Sequence, residues 1–207
     1  MLSLLTFILE PRGGRLSALS EALKEAEKKL SEELVATPGH VRRVLFWCEK
    51  IAREEGADLE AVKLAAALHD IAVPEDRAMH YELGAKVALE ALTKLGVPRE
   101  VAEKAAHAIR AHSRYGGPDP ETLEDKVLWD ADCIDACGAI GVIRAVLREL
   151  QASRLREPKD IIPALEKIAS LKAYTRAGRE ELERRRSFIL KFIEELKREL
   201  AASGEQL

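Results

Sequence analysis

Apolar residues recur at three- and four-residue intervals along almost the whole chain. Nowhere does apolar and polar alternation persist long enough to specify a strand. The first periodic stretch runs from Leu16 to Leu34, and Thr37-Pro38-Gly39 breaks it. A second helix is expected from about His40 through Val44, Leu45, Trp47 and Ile51 to Gly56. Asp58 reads as the N-cap of a third, from Leu59 to about Ile71, with Pro74 beyond its end. A fourth runs from about Met79 to Leu95 and stops at Gly96. Pro98 sits in the first turn of a fifth that ends near His112. After the loop Gly116-Gly117-Pro118-Asp119-Pro120, helical pattern resumes near Thr122 and continues to Leu155, with a break expected around Trp129. Pro158 and Pro163 mark another boundary, and Arg179 to Leu200 places Leu182, Phe188, Ile189, Phe192, Ile193, Leu196 and Leu200 on one face. The expected fold class is all-α, in one domain.

With 207 residues and 47% apolar content the chain is long enough, and apolar enough, to close a full core. Charged residues make up 33%, and the net charge is only -3. Such a balance supplies no general attraction to nucleic acid or to an anionic membrane, so an anionic substrate must be held by local cations and metal. The absence of Asn, with only two Gln and abundant Glu, Lys and Arg, fits a thermophilic source. The three cysteines, Cys48, Cys133 and Cys137, lack zinc-type pairing and read as small core residues of a reducing compartment. The apolar stretch Met1 to Leu9 is too short to span a bilayer and has no basic segment before it, so a cytoplasmic protein is expected.

The chemistry-bearing feature is the adjacent pair His69-Asp70, at the end of the apolar run Leu64 to Leu68. Neighbouring helical side chains diverge by about 100°, so two in succession converge on one ion only where the backbone turns away at a helix end. His40, His80 and His112 fall at other helix ends, and Asp132 falls near the expected join of two helical segments. A lone His is usually a satisfied polar residue and a lone Asp usually a cap. Here four of the chain's five histidines sit at segment ends in the order His, His-Asp, His, His, Asp. The mixed His and Asp set suits a divalent transition metal (Mn, Fe, Co, Ni or Zn) better than Ca or Mg. His107, five residues before His112 on the same helix, points elsewhere and reads as a non-ligand.

The text around these residues resembles the HD-domain superfamily of metal-dependent phosphohydrolases. His40-Val41-Arg42-Arg43-Val44 is similar to its first motif, Leu64 to Ile71 to its second, and Trp129 to Ala136 to its last. The stretch Thr175 to Phe192 is similar to the C-terminal helices of one uncharacterised bacterial and archaeal branch. The resemblance implies a helical metal-binding core over 31–157, with 1–30 an N-terminal helical extension and 158–207 C-terminal helices packed on that core. It implies one metal held by His40, His69, Asp70 and Asp132. It implies two metals if His80 and His112 fill the slots used by two-metal branches, with Asp70 then the bridging carboxylate. This chain departs from many relatives by placing Ile71-Ala72-Val73 between the His-Asp pair and the acids Glu75 and Asp76, which leaves a general base unassigned.

The expected function is hydrolysis of a phosphomonoester, phosphodiester or phosphoanhydride, with a small phosphorylated compound, a nucleotide above all, as substrate. Asp70 serves the metals, while Arg43 and Arg114 are the candidates to neutralise phosphoryl charge, ahead of Arg77 and Lys126. Tyr115 and Trp129 are able to stack on a base, although large aromatics are more often core. The run Arg184-Arg185-Arg186 reads as a solvated face, too short to bind nucleic acid. The apolar C-terminal helix face and the apolar N-terminus are each suited to burial against a second copy, so a homodimer is among the expected partners. Three alternatives stay open: a di-iron oxygenase, a non-catalytic metal- or nucleotide-binding module, and a helical structural protein.

Overall fold

The computed structural model describes residues 17–205, so the expectation for Met1 to Leu9 and half of the expected extension over 1–30 lie outside the described residues. Among the described residues nine α-helices follow one another: α1 (Ala18–Lys29), α2 (Pro38–Glu55), α3 (Leu59–Leu68), α4 (His80–Lys94), α5 (Arg99–Ala111), α6 (Leu123–Asp135), α7 (Gly138–Gln151), α8 (Ile162–Ala169) and α9 (Arg176–Ala202). A 3-10 turn, Pro158–Ile161, leads into α8, and no strand occurs among the described residues.

The punctuation works through ordinary caps. Thr37 accepts from the His40 amide at 3.1 Å, and Pro38 supplies a preset φ at the first helical position of α2. Gly56 ends that helix in the left-handed region (φ 81), and Asp58 caps α3 through the Ala61 amide at 3.1 Å. The short helix α3 is the centre of the molecule. Ala61, Val62, Leu64, Ala65, Ala66, Ala67 and Leu68 are all buried, and α1, α2, α5 and α6 pack around it. Its run of alanines lets those helices approach closely, and the ends of α2, α3, α4 and α5 thereby meet on one side.

Two boundaries differ from the sequence reading. Trp129 does not break a helix: it lies inside α6, where its indole donates to the Lys172 carbonyl at 3.0 Å. The break comes at Cys137-Gly138, where Gly138 has φ +79, a conformation costly for any other residue. Asp132 therefore sits in the last turn of α6, not at a join. The third helix ends at Leu68 rather than near Ile71, and a tight turn follows in which the Val73 amide donates to the Asp70 carbonyl at 2.9 Å.

Helix α9 is clamped to α6 at its first turn. Asp130 accepts from the Tyr174 and Thr175 amides, both at 2.8 Å, and from the Thr175 hydroxyl at 2.7 Å. Along α9, Leu182, Ile189, Ile193 and Leu200 are buried and Leu196 packs against the core, but Phe188 and Phe192 are exposed and do not share the expected face, because each is one residue, about 100° of turn, from a buried isoleucine. The three cysteines are free and buried. No described helix is long and apolar enough to cross a membrane.

Candidate metal centre

The helix ends bring together all six expected ligands. His40 comes from the first turn of α2, His69 from the C-cap of α3 and Asp70 from the residue after it. His80 opens α4, His112 is the C-cap of α5, and Asp132 projects from the last turn of α6. His40, His69 and His112 are buried, while Asp70, His80 and Asp132 retain 8%, 9% and 7% exposure. The cluster is thus enclosed by protein and reachable from the side those three residues line.

The two oxygens of Asp70 face different histidine pairs. Oδ2 lies 3.4 Å from His40 Nε2 and 3.3 Å from His69 Nε2. Oδ1 lies 3.8 Å from His80 Nε2 and 3.6 Å from His112 Nε2. Asp132 Oδ1 joins the first group at 3.4 Å from His40 Nε2. The cluster therefore divides into two donor groups that share Asp70, and each is tight enough to hold an ion.

The opposite ring nitrogens leave the Nε2 atoms as the candidate ligand atoms. His69 Nδ1 meets the Ala66 carbonyl at 2.9 Å, His80 Nδ1 the Arg77 carbonyl at 2.9 Å, and His112 Nδ1 the Ile109 carbonyl at 2.5 Å. His40 Nδ1 meets Asp135 Oδ2 at 2.7 Å. The carbonyls place a proton on Nδ1 of His69, His80 and His112, and Asp135 favours the same tautomer for His40, whose Nδ1 also has the Arg144 guanidinium at 2.6 Å; in the neutral ring Nε2 then offers a bare lone pair. Those lone pairs point at one another: His40 and His69 Nε2 are 3.0 Å apart, and His80 and His112 Nε2 are 3.3 Å apart. Converging lone pairs at that spacing need a cation between them, so the donor set fits divalent metal.

Electrostatics agree. Burial acts to lower the His69 pKa, yet Asp70 and then Asp132 overcome it and hold it at about 9. Burial likewise acts to raise the Asp70 carboxyl, but His69, His112 and His40 keep it well below its usual range. Asp132 is held at about 2 against burial, chiefly by Arg114 and then His40. His80 is lowered by burial and by His112.

The arginines divide. Arg114 stands beside the cluster, Nη2 at 3.1 Å from Asp132 Oδ2. Arg43 does not face the cluster: it donates to Asp135 through Nε (2.6 Å) and Nη2 (3.1 Å). Arg144 also pairs with Asp135. Sequence reasoning assigned no role to Asp135 or Arg144. Asp135 was within reach, three residues after Asp132 on the same helix, but Arg144 lies across the α6–α7 break and has no local signal. Glu75 pairs with Lys29, Asp76 caps the amides of Ala78 and Met79, and Arg77 pairs with Glu33, so none of the three joins the cluster. His107 bonds Asp125 at 2.9 Å, apart from the ligands. Of the three arginines from 184 to 186, only Arg184 matches the solvated-face expectation. Arg185 donates to the Ile134 carbonyl at 2.7 Å and lies over the Trp47 ring, and Arg186 donates to the Leu171 carbonyl at 2.6 Å.

An all-helical bundle with histidines and aspartates delivered from helix ends defines a helical scaffold suited to holding divalent metal. Residues 38–137 match the HD domain. The chain is 30% identical over 173 residues to the uncharacterised protein YpgQ of Bacillus subtilis, covering 78% of this chain and 82% of that one. It is similar to the structure of a predicted HD superfamily hydrolase from an uncultured Thermotogales bacterium (TM-score 0.63, 28% identity, 88% and 90% of the two chains). It is also similar to YpgQ solved in complex with ADP (TM-score 0.68, 26% identity, 86% and 97%). The chain belongs to the HD-domain family.

Proposed function

We propose that this protein is a two-metal phosphohydrolase whose substrate is a nucleotide or a nucleotide-derived phosphoester or phosphoanhydride. The observation that carries this reading is the split of Asp70, with one carboxylate oxygen toward His40 and His69 and the other toward His80 and His112. Membership of the HD-domain family supports the hydrolytic chemistry, and the ADP bound to YpgQ supports a nucleotide ligand.

His40, His69, Asp70 and Asp132 would hold one divalent ion, and Asp70, His80 and His112 the other. Bound divalent ions acidify water and polarise a phosphoryl oxygen. The protein's part is positioning and charge. Asp135 holds the His40 Nδ1 proton and so aims Nε2 at Asp70 and Asp132. Arg43 and Arg144 fix Asp135 in turn, which makes them positioning residues. Arg114 spends one N–H on Asp132 and keeps further donors at the exposed edge of the cluster, where they can meet charge spreading over phosphoryl oxygens.

The test is metal analysis of purified protein together with hydrolysis of a nucleotide panel under Mn, Fe and Co. Two metals per chain, falling to one in His80→Ala/His112→Ala with loss of turnover, is the expected result. One metal per chain, unchanged by the substitutions, would overturn the dinuclear reading. Redox-active iron with oxygen-dependent turnover would replace hydrolysis by oxygenase chemistry.

A further inference from the structure

Beside the metal cluster lies a pocket lined by Arg114, Arg144, Arg148, Lys167 and Tyr115. Arg144 and Arg148 are one turn apart on α7, the small residue Ala145 on the same face also lines the pocket, and α8 brings Lys167. Two of its cations also border the cluster: Arg114 is paired with Asp132, and Arg144 with Asp135. The pocket is thus continuous with the site through those two side chains.

The remaining two cations are not consumed by the cluster. Arg148 Nη1 donates to the Tyr115 hydroxyl at 2.6 Å, and the Lys167 ammonium stands over the Tyr115 ring, 4.8 Å from its centroid. The nearest acid, Glu149, lies 3.5 Å from Arg148 Nε but is already held by Arg154 through two hydrogen bonds of 2.6 and 3.0 Å. Among the described residues, the only buried side-chain nitrogens without a hydrogen-bond acceptor are Arg144 Nε and Arg148 Nε. Buried guanidinium N–H groups without acceptors are costly, and a phosphate presents the acceptors they lack. A wall with four cations, two of them beyond the reach of the metals' own acids, carries more positive charge than one phosphoryl group needs.

We infer that this pocket is a second anion subsite, in which Arg148 and Lys167 take a phosphoryl group adjacent to the one held at the metals. Those two residues then set a preference for substrates with two or more linked phosphoryl groups over monophosphates. The inference rests on the phosphohydrolase reading, and the experiment separates the two. Metal-loaded wild type and Arg148→Gln/Lys167→Gln are titrated with inorganic pyrophosphate and with orthophosphate, and assayed with a nucleoside diphosphate and with p-nitrophenyl phosphate.

Wild type is expected to bind pyrophosphate about tenfold or more tightly than orthophosphate, and the double variant to lose that difference. The KM for the nucleoside diphosphate should rise about tenfold with kcat nearly unchanged, while p-nitrophenyl phosphate turnover stays as in wild type. Lys167 is exposed and Arg148 half-buried, and the single Lys167→Glu variant, which reverses one charge on the exposed residue, should weaken pyrophosphate binding further than Lys167→Gln. A double variant that keeps the pyrophosphate preference overturns the subsite. Failure of wild type to hydrolyse any phosphoester overturns the hydrolytic reading instead, and the pyrophosphate titration still decides the subsite.

Discussion

Asp135 Oδ2 lies 2.7 Å from His40 Nδ1, and the same carboxylate is held by Arg43 and Arg144. Burial would raise the Asp135 pKa, but His40 and the two arginines push it far below the usual carboxylate range. The His40 ring is therefore set by a permanently ionised partner. Asp135→Asn keeps the shape and removes the charge, and metal affinity is expected to fall by about 10- to 100-fold. Metal titration of the purified variant checks this. Unchanged affinity would mean that Asp135 serves only to neutralise Arg43 and Arg144.

The raised pKa of His69 gives metal binding a defined proton signature. The ordinary value is 6.5, and in the metal-free fold it stands at about 9. A proton on His69 thus takes the place of the cation when metal is stripped away. Binding at pH 7.5 should release about one proton, and affinity should climb with pH up to about 9. His80, lowered by burial and His112, is already neutral there and releases none. For the metal-free protein the sign is opposite: the His69 contribution to stability is complete below pH 6.5 and lost as pH rises through about 9. Calorimetry in buffers of different ionisation enthalpy counts the protons, and a count near zero would contradict the placement of His69.

The helix ends that carry the candidate ligands were readable because their signals are local. Thr37-Pro38 starts α2 and so places His40, and the alanine-rich run ending at Leu68 places His69 and Asp70. His80 and His112 followed from the same logic of caps and breaks. Long-range partners were not readable. Arg43 is one turn from His40, which made it look like a group for the substrate, yet Asp135 captures it from a helix 92 residues away. Arg144 and the cationic pocket on α7 and α8 depend on the packing of three separate segments, and no spacing along the chain encodes that. The break expected around Trp129 falls instead at Gly138, whose left-handed backbone ends the helical run.

Removal of metal should loosen the fold as well as the site. The cluster joins α2, α3, α4, α5 and α6, so an ion bound to the native state alone stabilises all five helices together. At a free metal concentration 100 times its dissociation constant the linkage is about 2.7 kcal/mol per site. For a chain of this length that corresponds to a fall in Tm of roughly 5–10 °C on chelation. Thermal unfolding with and without EDTA, followed by restoration with Mn, measures it. A Tm indifferent to chelator would show that the donor groups bind metal too weakly to matter.

The junction of α6 and α9 offers a test that separates fold from site. A Cβ on Gly178 would stand 2.2 Å from Asp130 Oδ2 and 2.7 Å from its Cγ, closer than any packing permits. Asp130 cannot retreat without giving up its bonds to the Tyr174 and Thr175 amides, which fasten the start of α9. Gly178→Ala is therefore expected to cost about 1–3 kcal/mol, the range for overpacking. Its gain in helix propensity, about 1 kcal/mol, does not offset the loss of the clamp. The proposed ligands lie on other helices or, for Asp132, on the part of α6 beyond Asp130, so metal per chain should be unchanged below the unfolding transition. Denaturant unfolding and metal analysis on the same preparation give both numbers. A variant as stable as wild type would show that the α6–α9 clamp can rearrange, and loss of metal in the folded variant would show that α9 reaches the site through α6.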